Sequence, residues 1–244
     1  MTASSARIPS GSRARPLPGS GSLDLWLARR DEVAGSDTFI CDVLSRYTGL
    51  PPAAHTITRG RHGKPQLAAM PQAPAFNASD SGDWLALAVG GATALGVDLE
   101  CCDPGRDVLR LARRCFSATE IADMEALGSP RALGRFYDYW TLKEARVKAL
   151  GGSLGRELQN IAFSLARRDA NGVAIVELLQ PAGDRAWFCL LEPLPGYRLA
   201  LCRVGDTDPA PRLSLLRWPA GEAVAGDRFR LLAVSAACSG GGPQ

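Results

Sequence analysis

Apolar residues recur at helical spacing between positions 130 and 150. Leu133, Phe136, Tyr137, Trp140, Val147 and Leu150 fall on one stripe at about 100° per residue. Ser129 as N-cap, Pro130 as the first helical residue and Gly151-Gly152 as the stop bound this segment as one long helix. Positions 94–100 alternate instead. Leu95, Val97 and Leu99 face one way and Gly96, Asp98 and Glu100 the other, as in a strand with one buried face. Shorter apolar runs predict strands at 23–27, 56–58, 76–79 and 84–89, the last forming a hairpin with 94–100 across Gly90-Gly91. A helix ending near Tyr47 is closed by Gly49 and Pro51-Pro52.

The second half repeats the mixture. A short helix is expected at 106–114, and Ser117 with Glu120 makes a capping box that starts a helix running to Leu127. That gives Glu120 a structural task and leaves it out of the metal site. Strands are expected at 161–165, 173–179, 187–191 and 198–202, with Asn171-Gly172 and Pro195-Gly196 among the turns between them. Positions 213–218 and 229–234 add edge strands. The chain thus reads as α+β, divided into a disordered tail rich in Ser, Gly, Pro and Arg (1–22), an N-terminal half (23–102), a C-terminal half (103–205) and a partly disordered extension (206–244). The boundary between halves is set at the Asp103-Pro104-Gly105 turn.

Three acids attract notice within this frame. Glu144 lies eleven positions after Leu133 and so points only about 20° from it, inside the apolar stripe, with Lys148 at the stripe's edge. A carboxylate there is costly unless a cation meets it; the alternative is an i,i+4 Glu–Lys pair on a solvated face. Asp98 and Glu100 put two carboxylates on one strand face, close enough to share an ion, or else form the wet face of an antiparallel sheet. With Glu144 added, an oxygen-only donor set suits Mg²⁺. Composition narrows the class. A hydrophobic content of 46% supports a packed core. Net charge is +3, and Arg7, Arg13 and Arg15 in the acid-free tail leave the remainder neutral, which is no nucleic-acid footprint. No apolar run approaches the ~20 residues of a membrane span, and no secretory signal opens the chain. Seven cysteines without a CxxC spacing read as reduced, in the cytoplasm.

Gly96-Val97-Asp98-Leu99-Glu100, then Phe116-Ser117-Ala118-Thr119-Glu120, then Trp140-Thr141-Leu142-Lys143-Glu144-Ala145 with Lys148 and Gly151, resemble in order and spacing the motifs of the 4'-phosphopantetheinyl transferase superfamily. Gly63-Lys64-Pro65 and Phe76-Asn77-Ala78-Ser79 extend the likeness to its single-chain, Sfp-type branch, over about 23–204. The resemblance implies two similar α/β halves related by a pseudo-two-fold axis, antiparallel sheets with a long helix, and an active site in the cleft between halves. It implies that the 4'-phosphopantetheine arm of coenzyme A passes to a serine of an acyl or peptidyl carrier protein of a fatty-acid, polyketide or nonribosomal-peptide synthase, releasing adenosine 3',5'-bisphosphate. A monomer serving secondary metabolism is the family expectation. By the same likeness Asp98, Glu100 and Glu144 hold Mg²⁺, Lys148 neutralises a phosphate oxygen, and Glu144 is the candidate base. Lys64, Arg61, Ser79 and position 80 line the coenzyme A site.

Two features depart from the family pattern. The residue after Ser79, ordinarily a His that helps hold the 3'-phosphate of coenzyme A, is Asp80. The first helix is poor in bases, with Glu32 and Asp37 in it, leaving Arg29, Arg30 or Arg61 to compensate. Weakened selection for the 3'-phosphate follows. Two rival readings use the same residues. A Mg²⁺-dependent nuclease conflicts with the near-zero body charge. A degenerate module that binds coenzyme A or a carrier without turnover conflicts with the retention of Asp98, Glu100, Lys143, Glu144 and Lys148.

Overall fold

The computed structural model describes residues 15–236, except 20, 61–62, 69, 71–72, 92–93, 153–155, 206–209 and 224–228. The chain makes two passes through one connectivity. The first runs β1 (Ser22–Arg29), α1 (Ser36–Thr48), a short hairpin of β2 (Ile57–Arg59) and β3 (Pro65–Leu67), then a longer hairpin of β4 (Ala75–Ser81) and β5 (Trp84–Gly90). The second begins with β6 (Ala94–Cys101) and the helices α2 (Val108–Cys115), α3 (Ala118–Leu127) and α4 (Arg131–Leu150). It continues through β7 (Ala162–Ser164), β8 (Ala174–Ile175) and β9 (Glu177–Gln180) to the hairpin of β10 (Ala186–Glu192) and β11 (Tyr197–Val204). β12 (Arg212–Arg217), β13 (Glu222–Ala223) and β14 (Arg230–Val234) follow.

In each pass the opening strand pairs antiparallel with the last strand of the long hairpin, β1 with β5 and β6 with β11. The sheets therefore share a β1-β5-β4 and a β6-β11-β10 core order, the topological form of a pseudo-two-fold repeat. Period-two burial follows. Leu23, Leu25 and Leu27 of β1, Leu95, Val97 and Leu99 of β6, and Leu199 and Leu201 of β11 meet between the sheets. The opposite face of sheet one (Trp26, Leu85, Leu87) is covered by Phe39, Ile40, Val43 and Leu44 of α1. The opposite face of sheet two (Phe188, Leu190, Ala200, Cys202) is covered by Phe136, Leu142 and Ala145 of α4. The result is a helix–sheet–sheet–helix sandwich in which α4 is the most deeply packed helix.

The structure corrects several expectations. β5 and β6 form no hairpin: β5 stays in sheet one between β1 and β4, while the chain crosses after Gly90 and β6 enters sheet two beside β11. A strand belongs with the sheet its backbone bonds to, so β6 opens the second repeat and the Asp103-Pro104-Gly105 turn falls inside it. β12 and β14 are interior strands, β12 lying parallel to β1 and next to β13, and β14 lying between β10 and β8. Strands β12, β13 and β14 of the expected extension thereby belong to the two sheets. The end of the expected tail is packed as well. Arg15 binds the buried Asp24 through Nε at 2.6 Å and Nη2 at 3.1 Å, and Tyr47 donates to the same carboxylate at 2.7 Å. At the start of α4, Pro130 takes the N-cap position and Arg131 is the first helical residue. Leu150, placed in the buried stripe by periodicity, is 54% exposed at the end of the last turn, in which Val147 is still buried. That turn ends at Gly151, whose φ of 70° closes the helix in the left-handed conformation.

Candidate active site

The two sheets meet along one edge of each, where β4 lies beside β6, and the join is made by side chains. Asn77 Oδ1 accepts from the Val97 amide at 2.7 Å, Ser79 Oγ from Leu99 at 3.1 Å and Ser81 Oγ from Cys101 at 3.0 Å. Alternate residues of β4 thus satisfy alternate amides of β6. The same hydroxyls donate to the acids: Ser79 to Asp98 Oδ1 at 3.2 Å and Ser81 to Glu100 Oε2 at 3.1 Å. The acids therefore stand at the seam between the repeats, oriented by the first and carried by the second.

α4 closes over them, running opposite to β6. Gly96 lies under Ala145 and Ala149, Lys148 reaches Asp98, and Trp140 Nε1 donates to Glu100 Oε1 at 3.1 Å. Gly96 is what permits this approach. A Cβ there would overlap the Ala145 carbonyl oxygen and come within 2.7 Å of the Ala149 nitrogen, both of them backbone atoms of the helix. Gly96→Ala is expected to displace α4 from β6, separating Lys148 and Glu144 from Asp98. Catalytic turnover should fall more than tenfold and the melting temperature should drop; a variant with wild-type turnover would show that the contact does not set the site.

Asp98 and Glu144 are buried and Glu100 is half-buried. Lys148 Nζ lies 2.7 Å from Asp98 Oδ1 and 2.9 Å from Ser79 Oγ. Burial pushes the Asp98 carboxyl up, and Lys148 and Ser79 pull it back. Burial, then the neighbouring Asp98, raises Glu100, while Ser81 and Trp140 oppose the shift. Glu144 is pushed up to about 8, first by burial and then by Asp98. Burial also works against the Lys148 ammonium, but Asp98 and the other acids outweigh it and its pKa is raised.

Asp98 Oδ2 is buried and has no hydrogen-bond partner. Each acid disfavours charge on the next, so the cluster holds more negative charge than Lys148 offsets. An all-oxygen donor set with an orphaned carboxylate oxygen fits a hard divalent cation. The set is not preassembled: among the described residues no three acidic, His or Cys side chains already stand together as metal ligands. Asp98 Oδ1 is taken by Lys148 and Ser79, and both Glu100 oxygens are held by Ser81 and Trp140.

A cleft of about 400 Å³ opens beside this cluster and is lined by Ser79, Asp80 and Lys148 together with Ser36, Arg59 and Gly63. Asp80 is not left bare, because Arg30 Nη2 meets its carboxylate at 2.6 Å. Lys64 flanks the cleft but turns its ammonium to the end of α4, donating to the Lys148 carbonyl at 2.7 Å. Burial, then Lys148, lowers its pKa. Arg61 lies outside the described residues. Sequence reasoning missed Ser81, which its position two residues after Ser79 on the same strand face could have flagged. It also missed the Trp140 indole, whose partner Glu100 is remote in the chain, whereas Arg30, one of three bases named to compensate for Asp80, meets it.

Glu120 stays with the fold, as expected, but its partner was not foreseen. Its capping box is formed, with the Ser117 amide donating to Glu120 Oε2 at 2.8 Å. The same oxygen meets Lys143 Nζ at 2.8 Å with both side chains wholly buried. Neighbouring positions on α4 thus divide: Lys143 points into the core of the second repeat and Glu144 into the seam.

Comparison with known proteins bears on what this geometry does. Residues 94–202, which include β6 and α4, match the family model of the 4'-phosphopantetheinyl transferase superfamily. A 4'-phosphopantetheinyl transferase of Bacillus subtilis is 33% identical over 167 residues, covering 68% of this chain and 70% of that protein. The chain belongs to the 4'-phosphopantetheinyl transferase superfamily. The 4'-phosphopantetheinyl transferase AcpT of Escherichia coli (strain K12) is 36% identical over 153 residues, 62% of this chain and 70% of the relative. A solved holo-(acyl-carrier-protein) synthase from Bacillus anthracis, in complex with CoA (3',5'-ADP), superposes on 46% of this chain and 95% of its own, with a TM-score of 0.38 and 18% identity. As a phosphopantetheinyl transferase, the chain carries its acids on the matched strand and helix, whereas Ser79 and Ser81 come from β4, before the matched segment. Among the described residues no helix is long and apolar enough to cross a membrane.

Proposed function

We propose that this transferase moves the 4'-phosphopantetheine arm of coenzyme A to a serine hydroxyl of an acyl or peptidyl carrier protein, with Mg²⁺ held by Asp98, Glu100 and Glu144. The observation that supports this is one buried acid cluster, short of positive charge, beside a cleft that shares Ser79 and Lys148 with it. The serine oxygen forms a bond to the phosphorus of the pantetheine phosphate. The pyrophosphate bridge breaks, and adenosine 3',5'-bisphosphate leaves with the electron pair. Lys148 meets the phosphate oxygens as charge develops on the leaving group. Glu144, the acid contributed by α4, accepts the serine proton. An ion held by these acids would supply further neutralisation of the pyrophosphate. Ser79, Asp80, Lys64 and Arg61 are assigned to the coenzyme A side of the site. The protein acts as a cytoplasmic monomer on a carrier of fatty-acid, polyketide or nonribosomal-peptide synthesis.

The test is direct. Incubation with an apo carrier protein, coenzyme A and Mg²⁺ should raise the carrier mass by one phosphopantetheine arm. Coenzyme A bound without any mass gain would leave a binding module in place of an enzyme.

Asp80 yields a second expected result. Arg30 offsets its charge only in part, since both side chains are half-exposed and such pairs contribute about 0–1 kcal/mol. Turnover with 3'-dephospho-coenzyme A should therefore lie within about tenfold of that with coenzyme A. Asp80→His should widen the ratio and Arg30→Ala should narrow it. Strong wild-type preference for the 3'-phosphate would refute this role for Asp80.

A further inference from the structure

We propose that Lys148 is a travelling counter-ion: it neutralises Asp98 in the free protein and passes to a phosphate of incoming coenzyme A, so that Asp98 becomes a full cation ligand only once the nucleotide is seated. This deepens the reading above and rests on it. Three features carry it. The Lys148 ammonium sits directly on Asp98 Oδ1 while the other oxygen, Oδ2, is buried with no partner, so the carboxylate is only half engaged. A dication approaching Asp98 meets a unit positive charge within hydrogen-bond distance of it. Lys148 also lines the cleft with Ser79 and Asp80, so one side chain borders both the acids and the space a phosphate would enter. Finally, the point from which that side chain pivots is tied down. Lys64 donates to the Lys148 carbonyl at 2.7 Å, and Gly151 donates to it at 3.2 Å.

A lysine suits this task because its flexible stem can redirect three donors without moving the backbone. A phosphate in the cleft offers it a charge-assisted hydrogen bond at least as strong as that to Asp98. The Ser79 hydroxyl bonds both Lys148 and Asp98, and Ser79 also lines the cleft. Once the ammonium leaves, Asp98 regains its full charge and the cation binds more tightly. By linkage the cation must then tighten coenzyme A by the same factor.

The experiment measures Mn²⁺ binding from the electron paramagnetic resonance signal of the free ion, with no carrier protein present. Wild type should bind Mn²⁺ weakly alone and about tenfold or more tightly with coenzyme A, a typical coupling. Lys148→Met should bind Mn²⁺ alone about tenfold more tightly than wild type, and its gain from coenzyme A should shrink correspondingly. Lys148→Arg, which keeps a charge on Asp98, should behave as wild type and guards against a folding artefact. Arg106→Met removes another positive charge that acts on Glu100 but does not bond Asp98, and should change Mn²⁺ affinity less than threefold. Unchanged affinity in Lys148→Met, or equal gains in Lys148→Met and Arg106→Met, overturns the counter-ion role alone. Absence of Mn²⁺ binding in every variant, with or without coenzyme A, removes the carboxylate-site reading and this proposal together.

Discussion

Lys143→Met is expected to destabilise the protein by about 3–5 kcal/mol, the usual consequence of stranding one member of a buried ion pair. Lys143 Nζ meets Glu120 Oε2 at 2.8 Å and donates to the Leu158 carbonyl at 2.9 Å, with no solvent on either charged group. Glu120 in turn accepts from the Ser117 amide and, through Oε1, from the Phe163 amide at 3.0 Å. One pair therefore ties α3, α4, the segment after α4 and β7 to each other. Removing the ammonium leaves a carboxylate in the core and two carbonyls, Leu158 and Ile161, without their donor. Against a total stability of about 5–15 kcal/mol this is a large share. The double variant Lys143→Met with Glu120→Gln removes both charges and should recover part of the loss, giving a clear coupling in a double-mutant cycle. Urea denaturation reads all four proteins. A single-variant loss below about 1 kcal/mol would mean that the pair is not the tie that its burial indicates.

Glu144→Gln should lower carrier modification by about 10²–10³-fold, the scale of losing one preorganised electrostatic group, while stability holds or improves. The two readouts separate because the site works against the fold. In wild type the Glu144 carboxyl is pushed up to about 8 by burial and then by Asp98, against an ordinary value of 4.5. A carboxyl whose folded pKa is raised ionises first in the unfolded chain, so wild-type stability declines as pH rises from about 4.5 to about 8. Glutamine has no such dependence. In metal-free buffer the variant's melting temperature should therefore overtake wild type across that window. Asp98→Asn should match the loss of activity, but it forfeits the ion pair with Lys148 and should melt lower than wild type. If Glu144→Gln melts below wild type at every pH, Glu144 is a structural residue and not a strained functional one.

Sequence pattern made much of this readable. Strand β6 and helix α4 declare themselves by period, because a period of two and one of about 3.6 each place one face in a core whatever its neighbours are. The capping box at Ser117 and Glu120 is local and forms as expected. What periodicity could not distinguish was the partner of each buried face. Lys143 and Glu144 are adjacent in the chain, yet one pairs with Glu120 in α3 and the other faces Asp98 in β6. The chain's route was equally opaque at Gly90. A strand, a Gly-rich turn and another strand spell a hairpin locally, but β6 pairs with β11, about a hundred residues later.

The amino-acid order alone therefore set where the candidate residues stand: Asp98 and Glu100 on one strand face, Glu144 and Lys148 on one helix. It did so because periodicity and residue type are local properties. Only the tertiary structure decided how they are held. The β4 ladder of Asn77, Ser79 and Ser81, the close approach over Gly96, the grip of Lys148 on Asp98 and the shielding of Asp80 by Arg30 all join segments far apart in sequence. Such contacts depend on which surfaces the packed sheets and helices bring together, and no short-range pattern records that.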